Sequence, residues 1–189
     1  MTFAARSIFN SGITPVLRTY VSGTSVTETA PAGATNVVIA VWGGGGGGSR
    51  GIGGAEPEFG TGGGAGGYSQ STYSISGGQT LVYTVGAGGA GGFSTTPAES
   101  GGPSSVSSGT KSITTMTGNG GNEGTVGIGG SASGGNVQNT SGGNGDIGIE
   151  GAAVVGYLGY AEGGGGEAGA PGGLPGGAGE SGLVLFYYT

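Results

Sequence analysis

Few residues in this chain are equipped for chemistry, and they are scattered. It has no histidine and no cysteine, so imidazole bases, Ser-His-Asp arrangements and thiolate nucleophiles or metal ligands are excluded by composition. The acids are Glu28, Glu56, Glu58, Glu99, Glu123, Asp146, Glu150, Glu162, Glu167 and Glu180. A carboxylate pair can cleave a glycosidic bond, but no spacing selects a pair, and most of these acids lie among glycines, where a carboxylate is solvated. The chain is expected to be no enzyme, with no catalytic residue and no cofactor. Gly43-x-Gly45-x-x-Gly48 fits a dinucleotide fingerprint only because every position is glycine, and no helix follows it. Gly142-Gly143-Asn144-Gly145-Asp146-Ile147 approaches a calcium-binding repeat, but its Asp is one place early and the motif occurs once. A solvated tract end is the better reading, and no metal site is assigned.

Aromatic rings are the remaining candidates. Phe59, Phe93, Tyr157 and Tyr160 stand near the boundaries of glycine tracts. Exposed rings stack on sugars or fill pockets on a partner, which makes these four the candidate receptor contacts. Equally, they can cover the ends of the glycine tracts or pack on a sheet. Trp42, Tyr68, Tyr83, Tyr187 and Tyr188 fall inside strand-like runs and are expected to be structural.

Charge narrows the partners. Four Lys and Arg stand against ten acids, a net charge of −6. Arg6, Arg18, Arg50 and Lys111 are far apart in sequence, the opposite of a phosphate-binding cluster, so nucleic acid is not an expected partner. No apolar run approaches the ~18 residues of a membrane span. The first six residues lack the apolar middle of a signal peptide. Synthesis in a cytosol, without membrane insertion, is expected.

The elements that would position these residues are β-strands and glycine tracts. Residues 36–42, Asn-Val-Val-Ile-Ala-Val-Trp, are nearly continuous in apolar side chains and read as a strand covered on both faces. Residues 13–22 alternate, 25–29 read as a polar edge strand, and 183–188 as a second strong strand. Residues 68–75 and 80–85 read as a hairpin about Ser76-Gly77-Gly78-Gln79, with Leu81, Tyr83 and Val85 on one face. Weaker strands are expected at 104–108 and 112–117, and a strand or buried loop at 152–160. No window has a helical period, and glycine and β-branched residues are poor helix formers. Residues 1–12 read as an irregular arm that Ile8 and Phe9 could anchor.

Glycine supplies 55 of the 189 residues, a density that ordinarily means disorder. Against that stand sparse charge, a slightly positive mean hydropathy and the gathering of apolar residues into runs. Within the tracts glycine recurs every third residue: 45, 48, 51, 54; then 60, 63, 66; 86, 89, 92; 118 to 130; 142 to 151; 163 to 172; and 173 to 182 after a slip of one. Three residues per turn is the period of polyproline II, which has no internal hydrogen bonds. Where the facing positions lack Cβ, such helices can approach and bond backbone to backbone. A valine at Gly127 or Gly148 is expected to disrupt that packing. The competing reading is flexible or ad hoc loops, because triplet matches arise by chance in mostly-glycine sequence. Collagen is excluded by seven prolines and a broken phase.

Taken in order, residues 30–39 leading into Trp42 to Gly48 (WGGGGGG), then Gly62 to Ser69 (GGGAGGYS), then Gly77 to Gly92, and the closure Gly172 to Thr189 resemble the glycine-rich domain of bacteriophage tail and tail-fibre proteins. The resemblance covers about residues 28 to 189 and leaves the first 25 or so uncovered. It implies a virion structural role and similarity to glycine-rich phage adhesin tips, with loops 94–102, 136–141 and 156–162 as candidate receptor contacts.

The fold expected is mainly β: a small antiparallel β-sandwich combined with a bundle of glycine-rich polyproline II helices, without α-helix. Residues 1–27 would form an arm and edge strands for attachment, and 28–189 the glycine-rich domain. The protein would be a small separate component of the virion tail, made in the host cytoplasm. Its partners would be other tail proteins and a bacterial surface receptor, glycan or outer-membrane protein, with assembly as a trimer or on a fibre. The alternatives are a joint or decoration protein with no receptor contact and an ice-binding glycine bundle. The last calls for regular Thr or Ala rows, which the sequence lacks.

Overall fold

The computed structural model describes residues 13–56 and 58–189; the arm read at residues 1–12, with Ile8 and Phe9, lies outside them. Its strands, in chain order, are β1 (Val16–Tyr20), β2 (Val26–Thr29), β3 (Asn36–Trp42), β4 (Tyr68–Ser74), β5 (Thr80–Thr84), β6 (Ser104–Ser108), β7 (Met116–Gly118), β8 (Ala132–Ser133), β9 (Gln138–Thr140), β10 (Val154–Val155), β11 (Ala161–Glu162) and β12 (Leu183–Tyr188). A short 3-10 turn, Tyr157–Gly159, is the only helical element among the described residues. The protein is mainly β, as its β-branched and aromatic runs require.

Two five-stranded antiparallel sheets form the sandwich, ordered β1-β12-β3-β4-β9 and β2-β5-β6-β7-β8. β3 and β12 are neighbours, Leu183 opposite Trp42 and Tyr188 opposite Val37. Val37, Ile39, Val41, Val184, Phe186 and Tyr188 face Leu81, Tyr83, Val106 and Met116 in one buried core. On the other face of β3 and β12, Ala40, Trp42, Leu183 and Leu185 form a second cluster with Tyr68. Both faces of the central strands are thus covered, which is why their sequences run apolar without alternation.

The hairpin read at 68–85 is corrected. β4 pairs with β3 and β9, whereas β5 pairs with β2 and β6. The turn at 76–79 therefore crosses between sheets. Residues 30–35 take the bonds that a hairpin partner would have taken: Ala30 N–H donates to Gln79 O at 2.9 Å, Gly78 N–H to Ala30 O at 2.9 Å, and Ile75 N–H to Thr35 O at 3.0 Å. Ile75 and Leu81 both reach the shared core this way.

Glycine tracts continue directly from β3 and lead directly into β12. The N–H groups of 43–51 go in rotation to three antiparallel neighbours: Gly43, Gly46 and Ser49 to 67, 64 and 61; Gly44 and Gly47 to 102 and 99; Gly45, Gly48 and Gly51 to 180, 177 and 174. Carbonyls of the same tract accept from three parallel neighbours, at 89 and 92, 121 and 124, and 166 and 169. This tract is therefore bonded on all sides, and each partner returns every third residue. The tract at 60–67 is surrounded in the same way.

Glycine is required by contact. A Cβ built on Gly45 would land on the Gly164 carbonyl oxygen, one on Gly48 on that of Glu167, and one on Gly121 on that of Gly64. The hydrogen standing there instead points at an oxygen, a weak contact of about 0.5–1 kcal/mol. The triplet phase overruns the packing, however. Gly54, Gly148 and Gly172 have positive φ, and a Cβ on Gly54 or Gly172 would meet nothing within 4 Å. Gly127 also has positive φ, and a Cβ there would lie 2.8 Å from the Gly145 carbonyl oxygen. Valine at Gly127 or Gly148 thus tests a left-handed turn first and packing second.

The sandwich is clasped along one side. Buried Glu28 on β2 accepts from Arg18 Nη1, from Tyr20 Oη at 2.6 Å and from Tyr188 Oη at 2.9 Å, joining the two sheets. β1 and β2 are the edge strands on that side, and charges turned inward on an edge discourage pairing with a second chain. Burial and the Glu28 hydrogen bond push the Tyr20 phenol up to about 12, and Tyr188 is raised by burial and by the charge of Glu28.

Gly48→Ala is expected to lower stability by about 3 kcal/mol, read as a fall in the urea midpoint, while Gly78→Ala, open but at positive φ, costs about 1 kcal/mol. The clasp predicts alkaline sensitivity. The raised phenols keep their protons in the folded state when the unfolded chain has lost them, so the stability they confer is complete below pH ~10 and is lost as pH rises through about 12. Melting temperature followed from pH 9 to 12 should fall more steeply in the native protein than in Tyr20→Phe.

Candidate functional site

The bond register places the loop tips. Gly43 follows β3 and Gly182 precedes β12, so the low end of the first tract lies against the sheets. Its far end is bonded to Thr61, Gly92, Gly124, Gly169 and Leu174. Turns at that far end carry Ile52, Phe59, Phe93, Val126, Ile147, Ile149 and Leu174, all at least half exposed. Thr189 and Val16 sit at the opposite end of the sandwich, because β12 runs away from the tracts and Val16 pairs with Tyr188.

The tips are held by local geometry. Phe93 and Thr96 exchange backbone bonds of 3.0 and 2.7 Å, with Ser94 between them at φ 49. Ile52 and Glu58 do the same at 2.9 and 3.2 Å. Arg50 donates to the carbonyls of Gly173 and Ser94, each at 2.9 Å, and so fastens two of these turns together. Glu123 accepts from Ser100 and Thr125, and those hydrogen bonds, Ser100 first, hold its carboxyl below the usual range. Asp146 turns its carboxylate back onto the N–H of Ile147 at 2.7 Å. No three metal-ligating side chains converge among the described residues.

The four candidate aromatics divide into two pairs. Phe59 and Phe93 are 53% and 62% exposed and stand at the far end. Tyr157 and Tyr160 are partly buried against the outer face of β3 and β12, over the cluster of Trp42 and Tyr68. There Trp42 Nε1 donates to Val154 O at 2.9 Å, the Tyr157 N–H donates to Tyr68 Oη at 3.0 Å, and the rings of Tyr157 and Tyr187 lie 5.9 Å apart. The segment 152–162, folded as β10, the 3-10 turn and β11, is a cap on the sheet. It ends in Leu158, exposed and at φ 57.

The candidate loops separate likewise. Residues 94–98 are at the far end, while 99–102 are a packed tract. Residues 138–140 pair with β4 beside the sheet. Asn136 clamps Thr72 through bonds of 3.0 Å in both directions. No hydrophobic period marks this polar stretch, so β8 and β9 have no signature in sequence.

The chain matches the family described as a glycine-rich domain over residues 19–188. It belongs to that family. No curated protein matches it. In this glycine-rich domain β1 and β2 are sandwich strands, and the boundary drawn at residue 28 falls inside β2.

Gly156 lies where a Cβ would strike the rings of Tyr68 and Trp42. Gly156→Ala should therefore lift the cap. The readout is the emission of Trp42, the single tryptophan: blue-shifted and resistant to acrylamide in the native protein, red-shifted and quenchable in the variant.

Proposed function

We propose that this protein is a non-enzymatic structural component of a phage virion tail that presents rigid loop tips to a host receptor. Its glycine tracts would be polyproline II helices serving as a stiff stalk. Support comes from the resemblance of the ordered glycine motifs to tail and tail-fibre proteins and from family membership as a glycine-rich domain. The single observation that carries the reading is the set of exposed apolar side chains, Phe59 and Phe93 among them, at the end remote from the sheets and from Thr189. Folding ordinarily hides such groups, and contiguous exposure marks interaction surfaces. Loops fixed by backbone bonds lose little entropy on binding. Tyr157 and Tyr160, partly covered, would contribute to a receptor contact only through their edges.

A joint or decoration protein with no receptor contact is the competing reading. Labelled protein applied to susceptible bacterial cells distinguishes them. The native protein should bind saturably and compete with phage adsorption. Phe59→Ser combined with Phe93→Ser should lose about tenfold in cell binding with an unchanged melting temperature. Absence of both binding and competition would leave the joint reading standing.

A further inference from the structure

A groove lies on the side of the glycine bundle. It encloses about 590 Å³ with Gly164, Gly165 and Glu167 along its floor and Glu150 and Glu180 on its rims. Glu150 and Glu167 also line a second hollow of about 370 Å³ that ends at Phe59 and Ile149. The two hollows share Glu150 and Glu167 and follow residues 164–168, and they are treated together as one channel.

That channel is an unfilled position in the bundle. The first two tracts are each bonded to neighbours on all sides. Among the described residues the tract at 163–169 has four such neighbours: 43–51, 60–67, 148–152 and 174–182. Toward the channel, the N–H of Glu167 and the carbonyls of Gly165 and Ala168 have no backbone partner among the described residues. The Gly164 N–H is met only by the carboxylate of Glu180 at 3.0 Å. The lining carries nothing larger than alanine apart from the carboxylates of Glu150, Glu167 and Glu180 and, at one end, Phe59 and Ile149.

We propose that this channel docks an extended, glycine-rich, cationic segment of another protein, laid in as one more member of the bundle. Continuity with the existing tract-to-tract bonding says that the occupant is extended main chain with small residues on its inner rows. Main-chain bonds then supply affinity, as when a strand is added to a sheet edge. Charge says that it is basic: Glu150, Glu167 and Glu180 surround the channel, Glu162 stands beside it close enough for Glu180 to help burial raise its carboxyl, and no Lys or Arg lines either hollow. A second copy of this chain is disfavoured, because its net charge is −6 and facing channels would repel.

The test uses the intact protein and three fluorescein-labelled dodecapeptides, (Gly-Gly-Lys)4, (Gly-Gly-Glu)4 and (Gly-Val-Lys)4, followed by anisotropy. (Gly-Gly-Lys)4 is expected to bind saturably, with (Gly-Gly-Glu)4 not binding and (Gly-Val-Lys)4 about tenfold weaker. Ala178→Trp, which fills the channel from an exposed wall position, and separately Ala161→Trp, should each reduce binding about tenfold. Either variant serves if the other melts early. Glu167→Gln should weaken binding and its salt dependence together. The proposal is overturned if (Gly-Gly-Lys)4 fails to bind, or if the two tryptophan variants, still folded, bind it as the native protein does.

Discussion

A main chain that hydrogen-bonds sideways governs this structure. The glycine tracts at 43–51, 60–67 and 163–169 make no backbone bonds within themselves. Their N–H and C=O groups must find neighbours, and every neighbour must come close enough for its carbonyl to occupy the space of a Cβ. One methyl group at Gly45 or Gly48 would displace a backbone oxygen, which cannot rotate away as a side chain can. Tolerance is therefore lowest where the sequence is simplest. Glycine carries a large ordering entropy, so no single tract is stable alone. Completing the ring of neighbours around 43–51 and 60–67 is what offsets it.

The sandwich supplies the boundary condition. β3 runs straight into the first tract and β12 receives the last, with Trp42 opposite Leu183 at the junction. Side-chain packing thus sets the level and direction of two tracts. Those two orient the rest through a register that repeats every third residue. The sheets need covering on their outer face as well, and the cap of Val154, Tyr157 and Tyr160 does this. Rings that could serve recognition are in large part occupied with holding the junction dry. The Glu28 clasp closes the opposite core between sheets and turns the edge charges inward.

The division of labour follows from these constraints. Inside the bundle there is room for nothing larger than the buried methyl group of Ala65, so chemical variety is confined to turns and to the outermost tracts. The turns carry the apolar tips, stiffened by Arg50 and by paired backbone bonds. The outer tract at 163–169 keeps unused backbone groups and a margin of carboxylates. The proposed recognition tips and the proposed docking channel are different surfaces that meet at Phe59 and Ile149, and both lie outside the packed interior.

The sequence alone determined a great deal about the strands. β3, β4, β5, β6 and β12 were legible within a residue or so, because burial on one or both faces leaves a pattern of apolar residues. It also showed that glycine recurs in threes. It could not show which glycines are packed and which turn the chain: Gly48 and Gly54 share a phase, yet one faces a carbonyl oxygen and the other open space. It placed Tyr157 and Tyr160 beside Phe59 and Phe93 as equals, although the fold sends one pair under a sheet and the other to the tips. Tertiary structure alone decided that 68–74 and 80–84 belong to different sheets, and that polar 132–140 forms strands. The reason is the same in each case. Periodicity records whether a side chain is buried, whereas partners are chosen by backbone groups, which are identical at every position and leave no mark in the sequence.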